Sequence, residues 1–219
     1  MPNPTQYVLW GSAGHAKVLA EVIASREGKV VALFDNKDVS SVLPNVPLFI
    51  GEEGYLNWIN KQNRPHEIAG LVAIGGGRGR DRLFIQALFR KFCLSIPVLT
   101  HLSAVVSSSA CLGEGSQVLA LANVAAGSII GQACIINNKA SIDHECNLGN
   151  GVHVAPGATL CGCVNVSNNV FIGAGAVILP RIFIGENSII GAGAVVTRNI
   201  PPNTVVVGNP AKAIKKNNL

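Results

Sequence analysis

The 219-residue chain has no run of about 18 or more uninterrupted apolar residues, and its N-terminus lacks a basic segment leading into an apolar run and a small-residue cleavage site. These absences argue against membrane insertion and a secretory leader, and a cytoplasmic protein is expected. Charged residues supply only 13% of the chain and aromatics 5%, whereas 48% is hydrophobic and 24 residues are glycine, which suits a core of small, regularly spaced apolar side chains. Six cysteines (Cys93, Cys111, Cys134, Cys146, Cys161 and Cys163) form no CxxC pair and have no histidine at zinc-finger spacing, so they read as small buried fillers in a reducing compartment. The formal charge of +5 comes from scattered Lys and Arg. That argues against a nucleic-acid partner and suits small anionic ligands.

What the sequence does contain is a six-residue period. Aliphatic residues stand at Val106, Leu112, Val118, Val124, Ile130, Ile136, Ile142, Leu148, Val154, Leu160, Val166, Ile172, Ile178, Ile184, Ile190 and Val196 without a gap. Two positions earlier a small residue is usual, as at Ala104, Ser116, Ala122, Cys134, Ala140 and Ala158, and should mark a tight corner. Gly113, Gly131, Gly149 and Gly185 follow aliphatic positions at multiples of 18 residues, so three hexads should make one turn. Neither the period of an α-helix nor that of an antiparallel barrel fits. The pattern describes short strands on three faces of a prism, with stacked aliphatics inside and coils about 4.8 Å apart.

The N-terminal part reads differently. An apolar run, Tyr7–Trp10, enters Gly11-Ser12-Ala13-Gly14-His15 and a helical segment from about Ala16 to Ser25. A second strand, Val30–Phe34, ends at Asp35, and a third, Gly70–Ile74, meets Gly75 before a helix over Arg78–Phe92. This alternation predicts a small Rossmann-like α/β unit over residues 1–99, followed by the repeat domain over 100–219. Glycines after the first strand bring backbone N–H groups and a helix N-terminus toward a phosphate, and a carboxylate ending the second can accept hydrogen bonds from a nucleoside.

The GxxGH loop, Asp35-Asn36, Ala73-Ile74-Gly75 and hexapeptide coils carrying Asp143-His144-Glu145-Cys146 together resemble the hexapeptide-repeat nucleotide-sugar acetyltransferases of bacillosamine and sialic-acid biosynthesis, the PglD/NeuD-like family. The resemblance spans nearly the whole chain. It implies a left-handed parallel β-helix; the general preference for right-handed parallel crossovers would give the opposite hand. It also implies a homotrimer with active sites between neighbouring β-helices. Ala13, Gly14, His15, Asp35, Asn36 and Gly75 match the family's nucleotide-sugar positions, with Asn36 standing where some relatives carry a second acid. His153, Ala174 and Ala192 match positions that meet acetyl-CoA. Pro201-Pro202 and Val207 to Lys212 resemble the segment that closes the family's β-helix beside the CoA nucleotide.

Acetyl transfer from a thioester to an amine requires a neutral nucleophile, a base and an oxyanion donor. His144 stands two residues beyond the inward Ile142, hence at a corner, and Glu145 is placed to orient its ring. Gly162, 18 residues after His144, should lie one coil above and offer its N–H to the oxyanion or the cofactor. His153 is nine residues from His144, half a turn around the prism. The expected activity is acetyl-CoA-dependent N-acetylation of a nucleotide-linked 4-amino sugar, most specifically UDP-2-acetamido-4-amino-2,4,6-trideoxyglucose, with no metal. The alternatives are O-acetylation of sialic acid, N-acetylation of GDP-perosamine, and, ranked last, a non-catalytic or metal-dependent β-helix.

Overall fold

A computed structural model describes residues 6–217; the outermost ends of the two expected domains, residues 1–5 and 218–219, lie outside that range. The chain divides into two compact units. One runs through Gly75 and resumes over Phe84–Pro97; the other takes Gly76–Leu83 and the chain from Val98 on. The expected division after residue 99 differs from this mainly in the segment Gly76–Leu83, which clusters with the repeat coils.

The first unit is built on four parallel strands, β1 (Gln6–Trp10), β2 (Lys29–Asp35), β3 (Leu48–Ile50) and β4 (Ile68–Val72), in the order β3-β2-β1-β4. Helices α1 (Gly14–Ala24) and α2 (Gly51–Ile59) connect them, and α3 (Gly79–Lys91) follows β4. β1, inside the sheet, is apolar and buried from Tyr7 to Trp10, and β4 is apolar and buried throughout although it ends the strand order, its outer edge being bridged at Ala69 by Ser95. Strand order reverses between β1 and β4, which opens a crevice at their carboxyl ends. Most of the chain's few aromatics gather in this unit's core: Trp10 and Phe34 lie 5.7 Å apart, and Tyr55 meets Phe34 edge-on at 5.1 Å. β3 and α2 were absent from the sequence reading, and the third expected strand begins two residues earlier, at Ile68.

The second unit is a left-handed parallel β-helix of two-residue strands. They stack into sheets of five, eight and six strands, the eight counting two longer closing strands; up to Val196 each two-residue strand pairs with the one 18 residues away, as in Ile136 with Val154 and His153 with Phe171. The predicted inward aliphatics are all buried from Val118 to Val196, while Val106 and Leu112 at the first coil are partly covered. Every sixth residue from Gly115 to Gly193 turns the corner with φ between +53° and +70°. The positive-φ residue is the second of a two-residue turn, as in Asn138-Lys139 and His144-Glu145, and the small residue expected at the corner follows directly after it. The small residue faces inward, and where it is polar it bonds the next coil: Ser116 Oγ donates to Gly131 O at 2.7 Å and Cys134 Sγ to Gly149 O at 3.1 Å. Burial pushes the Cys134 and Cys146 thiols up to about 11, making them inert fillers. The filler reading stops there, because Cys161 and Cys163 are half-buried and Cys93 and Cys111 exposed.

The glycines that follow aliphatic positions serve stacking. A Cβ on Gly131 would lie 2.6 Å from the carbonyl carbon of Gly149 in the next coil. Arg82 ties the segment 76–83 to this unit. Its guanidinium is buried and donates to Ala133 O at 2.9 Å, Gly151 O at 2.7 Å and Gly76 O at 3.3 Å. Burial pulls its pKa down to about 10, so it remains charged at neutral pH. At the far end Thr204–Val207 joins the eight-stranded sheet and pairs antiparallel with Lys212–Lys216, whose lysines are exposed.

Candidate active site

Asp143, His144 and Glu145 form the corner between the strands Ser141–Ile142 and Asn147–Leu148, which belong to the six- and five-stranded faces. Asp143 Oδ1 accepts the His144 N–H at 2.7 Å and holds the backbone there. Glu145, at φ +55°, turns the chain, and its Oε2 lies 3.2 Å from His144 Nδ1. An ionised carboxylate only accepts, so Nδ1 carries the proton and Nε2 presents a lone pair. The imidazole is 53% exposed. Gly162 sits against Nε2 and Cε1, where any Cβ would collide with the ring. Among the described residues the Gly162 N–H donates to no acceptor, whereas the corner amides of Gln132, Asn138, His144 and Asn150 are capped by side-chain oxygens. A ring nitrogen with its lone pair open and a backbone N–H without an acceptor among the described residues thus stand side by side.

Of the expected cofactor residues, Gly162 stands at this corner and the other three lie elsewhere on the prism. Ala174 and Ala192 are exposed and stacked at the corner between the eight- and six-stranded faces, joined by Gly193 N–H to Ala174 O at 2.9 Å. Their own N–H groups have no acceptor among the described residues. A whole six-stranded face separates this corner from His144 in one chain. His153 is 5% exposed in the eight-stranded sheet, with Nδ1 3.2 Å from Gly76 O, Nε2 3.2 Å from Asn137 Nδ2 and the ring edge-on to Phe171. A carbonyl on one side and an amide donor on the other suit a neutral ring protonated at Nδ1. Sequence spacing placed His153 but did not reveal its burial.

In the first unit the expected substrate residues come to the carboxyl ends of the strands. Gly11 leaves β1 at φ +117° with its Cα against Ala73, leaving no room for a side chain. Ala13 is the N-cap of α1 and bonds no helix N–H through its side chain, Gly14 opens the helix beside empty space, and no acidic residue occupies the first turn. The α1 N-terminus is therefore open to an anion. His15 is half-buried; Asn36 is exposed after β2, and Gly75 follows β4. Asp35 has a role the sequence did not show: Oδ2 accepts the Ser12 N–H at 2.8 Å and Oδ1 the Lys37 N–H at 3.0 Å, tying the glycine loop to the β2 exit. Ser12, missed as a functional residue, adds a hydroxyl that donates to Ser40 O at 3.2 Å and accepts from Val42 N–H at 3.3 Å.

Fold and site define a β-helix acyltransferase that carries a Rossmann-like α/β unit. Residues 6–87 match the PglD N-terminal domain, and residues 163–198 match the bacterial transferase hexapeptide (six repeats). A mutant of perosamine N-acetyltransferase from Caulobacter crescentus, crystallised with CoA and GDP-perosamine, is 36% identical with a TM-score of 0.88 over 96% of this chain and 97% of that one. The acetyltransferase domain of PglB from Neisseria gonorrhoeae, in complex with acetyl coenzyme A, is 33% identical with a TM-score of 0.85 over 96% and 99%. WeeI from Acinetobacter baumannii is 26% identical with a TM-score of 0.85 over 96% and 100%. The chain belongs to the PglD/NeuD-like family of hexapeptide-repeat nucleotide-sugar acetyltransferases.

Proposed function

We propose that this enzyme transfers the acetyl group of acetyl-CoA to the 4-amino group of a UDP-linked amino-deoxy sugar, giving the N-acetylated nucleotide-sugar and CoA. The observation that carries the mechanism is the His144–Glu145–Gly162 corner. The neutral sugar amine attacks the thioester carbonyl, and its proton passes to His144 Nε2, while Glu145 holds Nδ1–H and stabilises the imidazolium. The carbonyl oxygen, now negative, takes the Gly162 N–H. Collapse breaks the carbon–sulfur bond, and the imidazolium returns the proton to the CoA thiolate. No covalent enzyme intermediate and no metal enter.

The nucleotide is held by the α1 N-terminus, the Gly11–His15 loop, Asp35-Asn36 and Gly75. Acetyl-CoA runs along free corner amides such as Ala174 and Ala192, with His153 beside it, and ends near the lysines that follow Pro210. The working form is a cytoplasmic homotrimer with its β-helices side by side. Two features support it: His144 is open in a single chain, and apolar side chains face outward on the faces that meet at its corner, with Val105 65% and Ile129 52% exposed.

A second reading, with GDP-perosamine as acceptor, is favoured by the similarity to the Caulobacter enzyme. The deciding test is acetyl-CoA consumption across UDP- and GDP-linked 4-amino sugars, with free sialic acid included. The proposal expects the highest kcat/KM with a UDP-amino sugar. Preference for the GDP-linked acceptor would establish the second reading, and acetylation of sialic acid alone would overturn both.

A further inference from the structure

Cys163 stands beside Gly162 on the coil above His144, and the mechanism makes no use of it. Its Sγ lies 3.7 Å from Glu145 Oε2, the same oxygen that lies 3.2 Å from His144 Nδ1. One ligand atom from each of these residues falls within 4.8 Å of the others. We propose that His144, Glu145 and Cys163 form a zinc-type metal site whose occupation switches the enzyme off.

Ligand atoms about 2.0–2.3 Å from a tetrahedral zinc stand roughly 3.3–3.8 Å from one another. The nitrogen–oxygen and oxygen–sulfur pairs already sit near that separation, and the nitrogen–sulfur pair lies within 4.8 Å. A nitrogen, oxygen and sulfur set selects zinc over magnesium or calcium, which take oxygen ligands. Three protein ligands leave a fourth position for water. The backbone fixes the two corners relative to each other, because the Cys163 N–H donates to His144 O at 2.9 Å. The ion has access: the side chains of His144 and Glu145 are 53% and 71% exposed, and Cys163 is half-buried.

The consequence for activity rests on His144 being the base. Coordination through Nδ1 uses that nitrogen's lone pair, so the ring proton moves to Nε2, and the Cys163 thiol releases its proton to solvent. Nε2 is then a donor and cannot accept the amine proton. Removing the metal restores the original tautomer, so the switch is reversible.

The test uses the full-length enzyme. Cobalt(II) titration should give a thiolate-to-metal charge-transfer absorption saturating at one metal per chain, displaced by zinc, kept in Cys161→Ser and Cys111→Ser, and lost in Cys163→Ser. Zinc should stop product formation and a chelator restore it. Cys163→Ser should keep wild-type turnover without metal but need at least the roughly 10–100-fold more zinc typical of a disturbed site. A cobalt band that persists in Cys163→Ser, or equal zinc inhibition of the two proteins, would overturn the site. A Cys163-dependent band in an enzyme whose metal-loaded form still turns over at the metal-free rate would overturn the switch, and His144 as the base with it.

Discussion

At the scale of single residues, the most constrained position in the candidate site carries no side chain. A Cβ at Gly162 would meet the far end of the His144 imidazole, a flexible group able to swing away, so Gly162→Ala should fold normally with the ring displaced. Misplacement of a reacting group by about 1 Å can cost 10²-fold in rate, and a loss of that order in kcat with an unchanged melting temperature is expected. His144→Ala should lower kcat by roughly 10²–10⁴-fold. Because an amine can lose its proton to water before attack, the His144→Ala loss should shrink as pH rises. Glu145→Ala should be milder, since the imidazole survives without its orienting partner. pH–rate profiles at saturating substrates check all three, and wild-type turnover by His144→Ala across the profile would eliminate it as the base.

At the scale of elements, two kinds of glycine hold the β-helix, and they should respond differently to a methyl group. Gly131 packs its Cα against Gly149 of the next coil, with 2.6 Å available for a Cβ, so Gly131→Ala must push whole coils apart and should cost about 1–3 kcal/mol or more. Gly157 turns a corner at φ +68° beside empty space. Gly157→Ala should cost only about 1 kcal/mol, the strain of a left-handed backbone. Urea unfolding of the two variants separates them, and equal losses would refute the distinction.

The inward aliphatic column was legible in the sequence because every coil repeats it; the left-handed corner was not, because Leu121, Lys139, Glu145, Asn169 and Arg181 fill it alongside glycines. β3 escaped because a three-residue edge strand carries too little pattern, and its successor α2 contains two glycines, Gly51 and Gly54. Arg82 escaped because its partners are backbone carbonyls, which leave no mark in a sequence. The His144, Glu145 and Gly162 grouping could be read because an 18-residue turn converts spacing directly into adjacency. The Asp35 bridge could not, since it depends on how two loops meet. That bridge sets an expectation: Asp35→Ala frees the Ser12 and Lys37 amides and loosens the glycine loop, so KM for the nucleotide-sugar should rise while KM for acetyl-CoA stays nearly constant. Equal rises for both substrates would show that the nucleotide binds elsewhere.

At the scale of the whole molecule, the question is where the other half of the site comes from. In one chain the His144 corner and the Ala174–Ala192 corner bound opposite edges of the six-stranded face, and both carry backbone donors that have no acceptor among the described residues. A ring of identical chains meeting through a heterologous contact would set one corner of each chain against the other corner of its neighbour. If so, the base and the acetyl-CoA groove of each site belong to different copies. His144→Ala removes the base, and Ala174→Trp should obstruct the groove, so each homotrimer should be nearly inactive. In trimers reassembled from an equal mixture, about one site in four pairs an intact His144 from one variant with an intact Ala174 from the other. Activity should therefore return to roughly a quarter of wild type after mixing under conditions that exchange subunits, with light scattering confirming the trimer mass. No recovery in mixed trimers shown to have formed would place base and groove in the same chain, and a monomeric mass at micromolar concentration would remove the intersubunit site altogether.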